Sequence, residues 1–148
     1  MKMVRMIACS SLALATLVAA ELAWAASPGP VDTDAPKEFT TTKSGLKYRI
    51  RRKSDGEKPE LTDTVIIHYM AWLDDGTVFD ESYKRNKPAP LPLKRVVRGC
   101  TEGIQLIGKG GMIELDIPPN LGYGANGKEG MVPANARLHY LVELLDIK

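Results

Sequence analysis

Thr64-Val-Ile-Ile-His-Tyr-Met-Ala-Trp-Leu-Asp-Asp-Gly-Thr-Val-Phe-Asp80 carries the plan of the fold. Up to Leu73 the run is rich in β-branched and aromatic residues, which suit a pleated, half-buried surface. Successive side chains of a strand point to opposite faces, so Val65, Ile67, Tyr69, Ala71 and Leu73 fall on one side and Ile66, His68, Met70 and Trp72 on the other. Asp74-Asp75-Gly76-Thr77 then reads as a tight hairpin turn, because Asp and Gly tolerate the positive φ that short loops require. Val78-Phe79-Asp80 begins the return, so the centre of the chain is an antiparallel pair.

Working outward, Lys87 to Pro92 holds three prolines, which excludes a central strand and implies a stiff connection or an edge. Val97, Cys100, Ile104 and Ile107 follow at three- and four-residue spacing, with Arg98, Thr101, Glu102 and Gln105 free to face outward and Gly108 suited to a stop. That pattern predicts one short amphipathic helix. Met112 to Ile117 and Arg137 to Ile147 read as two further strands, separated by a long Gly-rich, Pro-containing loop of the kind that is usually functional in a compact domain. Upstream, Leu46 to Ile50 alternates apolar and basic residues, and Asp55-Gly56 supplies a turn. Antiparallel strands around a single helix make an α+β domain, with the helix covering the apolar face that the sheet must bury.

The first residues have a different character. Lys2 and Arg5 precede a mostly apolar run from Ile7 to Ala20, and Ala23-Trp24-Ala25 matches a small-residue cleavage site. Residues 1–25 are therefore read as a signal peptide, 26–38 as a proline-rich extended linker and 39–148 as the folded domain. Ser10, Ser11 and Thr16 interrupt the apolar run and Glu21 ends it, which argues against a membrane span and for a product with no stable membrane insertion after cleavage. The expected location is outside the cytoplasm, the periplasm ahead of full secretion. The linker is too short to be a dimerisation domain, so a monomer is expected.

The 148 residues carry 20 Lys and Arg against 18 Asp and Glu, with both signs interspersed, which gives nucleic-acid binding no electrostatic support. Cys9 would leave with the signal segment, so Cys100 has no intramolecular partner and reads as a small buried hydrophobe, with a catalytic thiol or an intermolecular bridge as the alternatives. There is no phosphate-binding glycine loop and no metal-ligand cluster. His68 and His139 both precede tyrosines in strands, but two histidines are too few for a metal site. Ser44, Ser54 and Ser82 lack the setting of a strained nucleophile elbow. No metal or cofactor is expected, and pattern alone names no activity.

Several segments in order do more. Thr64-Val-Ile-Ile-His-Tyr69, Asp75-Gly-Thr-Val-Phe-Asp80, Val96-Val-Arg-Gly99, Thr101-Glu-Gly103, Ile117-Pro-Pro119, Leu121-Gly-Tyr-Gly124, Val132-Pro133 and Val142-Glu-Leu-Leu-Asp146 together resemble the FKBP family over roughly residues 40 to 148. The resemblance implies a strongly twisted antiparallel sheet wrapped around one short helix, and peptidyl-prolyl cis/trans isomerase activity on proline-containing, unfolded or partly folded polypeptides. By the same resemblance Tyr69, Phe79 and Tyr140 surround the carbonyl before proline, and Asp80 is oriented by Tyr69 and Arg85. Tyr123 donates a hydrogen bond to the substrate backbone. Val96 and Val97 line the pocket's side, Cys100 forms its floor, and Met131 and Val132 flank Tyr123.

Such a pocket needs no nucleophile, since isomerisation breaks no covalent bond. The barrier of about 18–20 kcal/mol is amide resonance, which is lost in the twisted transition state. An apolar pocket that withholds water from the polarised carbonyl favours the twisted form. The chain departs from the family pattern at Cys100, where a tryptophan is usual. It departs again at Ala89 and Leu91, where aromatics are common, at Ala134 in place of a second proline, and at Lys128 in the pocket loop. These departures imply reduced affinity for macrolide ligands. Cys100 and Ala89 also support the alternative of a peptide-binding or chaperone module with weak or no turnover, and Cys100 a third reading as a redox thiol.

Overall fold

A computed structural model describes residues 27–148. The signal segment read at 1–25, together with Ala26, lies outside the described residues. The strands are β1 (Thr40–Thr41), β2 (Lys47–Arg52), β3 (Thr64–Leu73), β4 (Val78–Glu81), β5 (Ala89–Pro92), β6 (Met112–Ile117) and β7 (Leu138–Ile147). They form one antiparallel sheet in the order β1-β2-β6-β7-β3-β4, with β5 also paired to β3. One α-helix, α1 (Arg98–Ile104), is found among the described residues, along with 3-10 turns at Leu93–Arg95, Pro119–Leu121 and Gly124–Asn126. No helix among them is long and apolar enough to cross a membrane.

The alternation along β3 holds as the sequence predicts: Val65, Ile67, Tyr69 and Ala71 are buried on one face, and their neighbours are half-exposed on the other. The turn after it closes through Gly76, whose φ of +85° is open to glycine without strain. Thr77 N–H donates to Asp75 Oδ1 at 2.8 Å in the same turn. The proline-rich run settles as β5, beside the first half of β3 at an edge. This is the position where missing N–H donors do least harm.

The helix is shorter than its apolar period. Leu106 N–H to Gly103 O (3.1 Å) and Ile107 N–H to Ile104 O (3.4 Å) continue as single turns beyond Ile104. Two glycines within α1 weaken its own propensity, yet they let it lie flat on the sheet. A Cβ on Gly99 would stand 2.6 Å from Ile117, and one on Gly103 would stand 2.5 Å from Leu115. Close approach to β6 therefore decides these two positions. The core between α1 and the sheet contains Ile67, Leu93, Ile104, Ile113, Leu115, Ile117, Leu138, Val142 and Leu144, all essentially without exposure.

The opposite face of the sheet is mixed, with Ile66, Met70, Trp72 and Leu141 beside charged residues. Arg49 grips Glu114 through two bonds of 2.8 and 3.0 Å. Residues 27–38 form no helix or strand, and they are fastened to this side of the domain. Asp32 N–H donates to Arg51 O at 2.8 Å, Arg52 donates to Pro30 O at 3.0 Å, and Gly29 N–H donates to the Glu143 carboxylate at 3.0 Å.

Candidate active site

A cavity of about 380 Å³ opens between the apolar face of the sheet and α1. Strand alternation supplies one wall in pairs two residues apart, Ile67 with Tyr69 and Tyr140 with Val142. These come from adjacent strands, with Tyr69 opposite Val142 and Ala71 opposite Tyr140. The helix adds Cys100 and Ile104, one turn apart, and β5 adds Leu91. Val96 and Val97 enter from the link between the first 3-10 turn and α1, and Tyr123 and Lys128 from the long loop before β7. The lining is aliphatic and aromatic, with its polar groups at Tyr69, Asp80, Arg95, Tyr123, Lys128 and Tyr140.

Asp80 is held from two directions. Tyr69 Oη donates to its Oδ2 at 2.6 Å, and Arg85 Nη1 donates to its Oδ1 at 3.2 Å while Nη2 reaches Tyr69 Oη at 3.2 Å. Burial, reinforced by the bond to Asp80, pushes the Tyr69 phenol up to about 12, so it remains a donor at neutral pH. Burial also raises the Tyr140 phenol. Neither Tyr123 nor Tyr140 hydrogen-bonds through its hydroxyl to another described residue, which leaves two O–H groups on the cavity wall for a bound chain.

The sequence-derived site is brought together in two tiers. Tyr69, Asp80, Val96, Val97, Cys100, Tyr123 and Tyr140 wall the cavity. Phe79, Arg85, Met131 and Val132 stand behind or beside it and are not part of the wall. Phe79 occupies a bulge, since the register steps from Ala71 opposite Asp80 to Trp72 opposite Val78. Such a bulge re-aims a side chain beside a site, and here the ring meets Tyr140 edge-on at 6.1 Å and 81°. Val132 is buried in the core and Met131 packs against it.

Ile67, Ile104, Val142, Leu91, Lys128 and Arg95 also line the cavity but are not among the sequence-derived site residues. The first three were detectable as the next inward-facing positions after Tyr69, Cys100 and Tyr140. Arg95 was not, because a 3-10 turn has no distinct sequence period.

Cys100 is 4% exposed, and burial alone raises its thiol pKa. A reactive thiol needs the reverse, so the redox reading is set aside. The two histidines sit four residues apart along the β3–β7 pairing, as His68 lies opposite Glu143 and His139 opposite Trp72. Each is engaged locally: His68 bonds Ser82 Oγ at 2.8 Å and stacks on Tyr83, and His139 bonds Asp74 at 2.7 Å and stacks on Trp72.

Comparison with known proteins gives one consistent answer. Residues 55–145 match the family model described as FKBP-type peptidyl-prolyl cis-trans isomerase. A probable FKBP-type peptidyl-prolyl cis-trans isomerase of Haemophilus influenzae is 44% identical over 75% of this chain and 46% of its own length. FkpA of Escherichia coli K12 is 45% identical over 76% of this chain and 41% of its own. The crystal structure of FkpA from Escherichia coli superposes with a TM-score of 0.72 at 44% identity, covering 76% of this chain and 53% of that one. That of AtFKBP13 gives 0.67 at 31% identity, over 75% and 99%. The chain spans less than half the length of the curated relatives it matches.

Proposed function

Because the chain belongs to the family of FKBP-type peptidyl-prolyl cis-trans isomerases, we propose that its cavity accelerates rotation about X-Pro bonds in proline-containing, unfolded or partly folded polypeptides. The observation that carries this reading is the cavity itself. It is an apolar space walled by Ile67, Val96, Val97, Cys100 and Val142, with two hydroxyls, of Tyr123 and Tyr140, that no other described residue occupies.

A proline ring among those apolar groups leaves its preceding carbonyl facing aromatic surface instead of water. The planar amide then loses the solvation that favours charge separation, while the twisted amide, with its localised carbonyl, loses little. Aromatic edges of Tyr69 and Tyr140 present positive ring edges to that oxygen, and Phe79 sets the Tyr140 ring from behind through its edge-on contact. Tyr123 is suited to hold the flanking backbone that does not rotate, and Asp80, fixed by Tyr69 and Arg85, keeps the wall in place. Each 1.36 kcal/mol of preference for the twisted form is worth about tenfold in rate. The small floor at Cys100 favours turnover of exposed X-Pro bonds over tight macrolide binding.

The place of action we propose is outside the cytoplasm, the periplasm ahead of full secretion, supported by the basic, apolar and small-residue pattern of residues 1–25. The unit is proposed to act as a monomer.

The reading is tested by proline isomerisation in tetrapeptides that vary the residue before proline, with Phe79→Ala as the control. Acceleration that collapses in the variant is expected. A folded protein that gives no acceleration overturns the enzyme and leaves the peptide-binding module.

A further inference from the structure

The cavity carries an unbalanced charge at its mouth. Three ionic side chains line it, Asp80, Arg95 and Lys128. The carboxylate of Asp80 is neutralised by Arg85, whereas neither Arg95 nor Lys128 forms an ion pair with any described residue. Glu129 is not on the cavity wall; it shares an adjoining shallow groove with Lys128, but the two form no ion pair. Lys94 and Arg98, exposed on either side of Arg95, line a separate groove together with Glu102 and are not part of this rim.

Both cations stand on fixed backbone. Arg95 ends the 3-10 turn Leu93–Arg95, which is anchored by fully buried Leu93 and by a 2.7 Å bond from Thr101 Oγ1 to Leu93 O. Lys128 sits in a closed loop, its N–H and C=O both bonded to Val132 at 2.8 Å. Its ammonium lies 5.5 Å from the centre of the Tyr123 ring, which keeps it over the cavity. A peptide whose proline enters the apolar space therefore meets two positive charges on anchored backbone that no carboxylate pairs.

We propose that Arg95 and Lys128 are specificity residues that favour X-Pro segments bearing a carboxylate side chain, Asp or Glu, next to the proline. The inference rests on the isomerase reading of the cavity. Opposite charges at the rim of an apolar site attract more strongly than in bulk water, and they do so in the ground state and the transition state alike. The selectivity should accordingly appear in KM and not in kcat.

The test compares tetrapeptides with Glu, Gln or Lys on either side of proline, read both as kcat/KM for isomerisation and as Kd from fluorescence anisotropy. With wild-type protein at low salt the Glu peptide is expected to exceed its Gln isostere by about threefold to tenfold in at least one of the two positions, the size of two exposed ion pairs. The ratio should fall towards one in Arg95→Gln/Lys128→Gln and near 1 M salt, where the Debye length is about 3 Å. It should invert towards the Lys peptide in Arg95→Glu/Lys128→Glu. Equal treatment of Glu and Gln peptides by a protein that isomerises both overturns the inference and leaves the isomerase intact. A ratio that survives in the double variants also overturns it. If no peptide is turned over, the isomerase reading has failed instead, and the Kd ratios decide the rim by the same criteria.

Discussion

The domain contains the same chemical triad twice, once on each face of its sheet. On the cavity side Tyr69 donates to Asp80, which Arg85 also holds; on the opposite side Tyr83 donates to Glu143 at 2.5 Å, which Arg52 holds at 2.9 Å. Exposure separates them. The side chains of Arg85 and Asp80 are 54% and 35% exposed, whereas those of Arg52 and Glu143 are 20% and 6% exposed. Water still competes for the first group, so its bonds orient a wall more than they hold the fold. The second group is closed over by Tyr83 and by Gly29 of the N-terminal segment, and removing either Arg52 or Glu143 leaves the other charge buried and unmatched. One constellation thus serves a site and the other serves stability, and the difference lies in burial, not in residue type.

The largest effect that would sharpen this contrast is expected at Glu143. Glu143→Gln should lower the unfolding free energy by about 3 kcal/mol, because Arg52 then remains largely buried beside a neutral partner. Urea unfolding checks this, and a loss near zero would break the comparison. Next come the hydroxyl deletions. Tyr83→Phe should cost about 2 kcal/mol, as expected for a buried bond to a charged acceptor. Tyr69→Phe should cost less than about 1 kcal/mol in the same measurement, since Arg85 and solvent reach Asp80.

Acid should reveal the buried group in two steps. Burial holds the His68 pKa below its ordinary 6.5, despite the opposing field of Glu143. The unfolded chain then takes up that proton first as pH drops through about 6.5, and stability declines until the folded value is passed. Burial opposes ionisation of Glu143, but hydrogen bonds from Tyr83, Gly29 and Arg52 outweigh it and hold the carboxyl below its ordinary 4.5. Its contribution is therefore present above pH 4.5 and is lost as pH falls through the folded value. Unfolding followed between neutral pH and pH 3 should lose the first step in His68→Asn and the second in Glu143→Gln. The smallest effect concerns Cys100, whose thiol should resist alkylation in the folded protein and react only on unfolding, measured by thiol titration with and without denaturant.

What could be read in the sequence follows from the range of each interaction. β3 and β6 have the predicted boundaries, β7 begins at Leu138 instead of Arg137, and the inward face of β3 is as expected from Val65 to Ala71, because strand alternation is recorded in neighbouring residues. Residues 64–80 supply β3, its turn and β4 from local pattern alone. The cavity wall of Tyr69, Val96, Val97, Cys100, Tyr123 and Tyr140 was legible through ordered family segments, which encode long-range placement that periodicity lacks. The buried triad was not legible, since Arg52 and Glu143 are 91 positions apart and Tyr83 sits in a loop with no repeating pattern. Nor did the prolines that imply a stiff connection or an edge reveal that Ala89–Pro92 pairs with β3.

The most direct test of the account is the isomerisation rate of an X-Pro tetrapeptide with wild type and with Asp80→Asn, each at matched folded concentration and each with its unfolding free energy measured. The account predicts that wild type accelerates the reaction. Asp80→Asn should lose about tenfold in kcat/KM while its stability shifts by less than about 1 kcal/mol. An Asp80→Asn protein that isomerises at the wild-type rate, or that fails through unfolding, would contradict it.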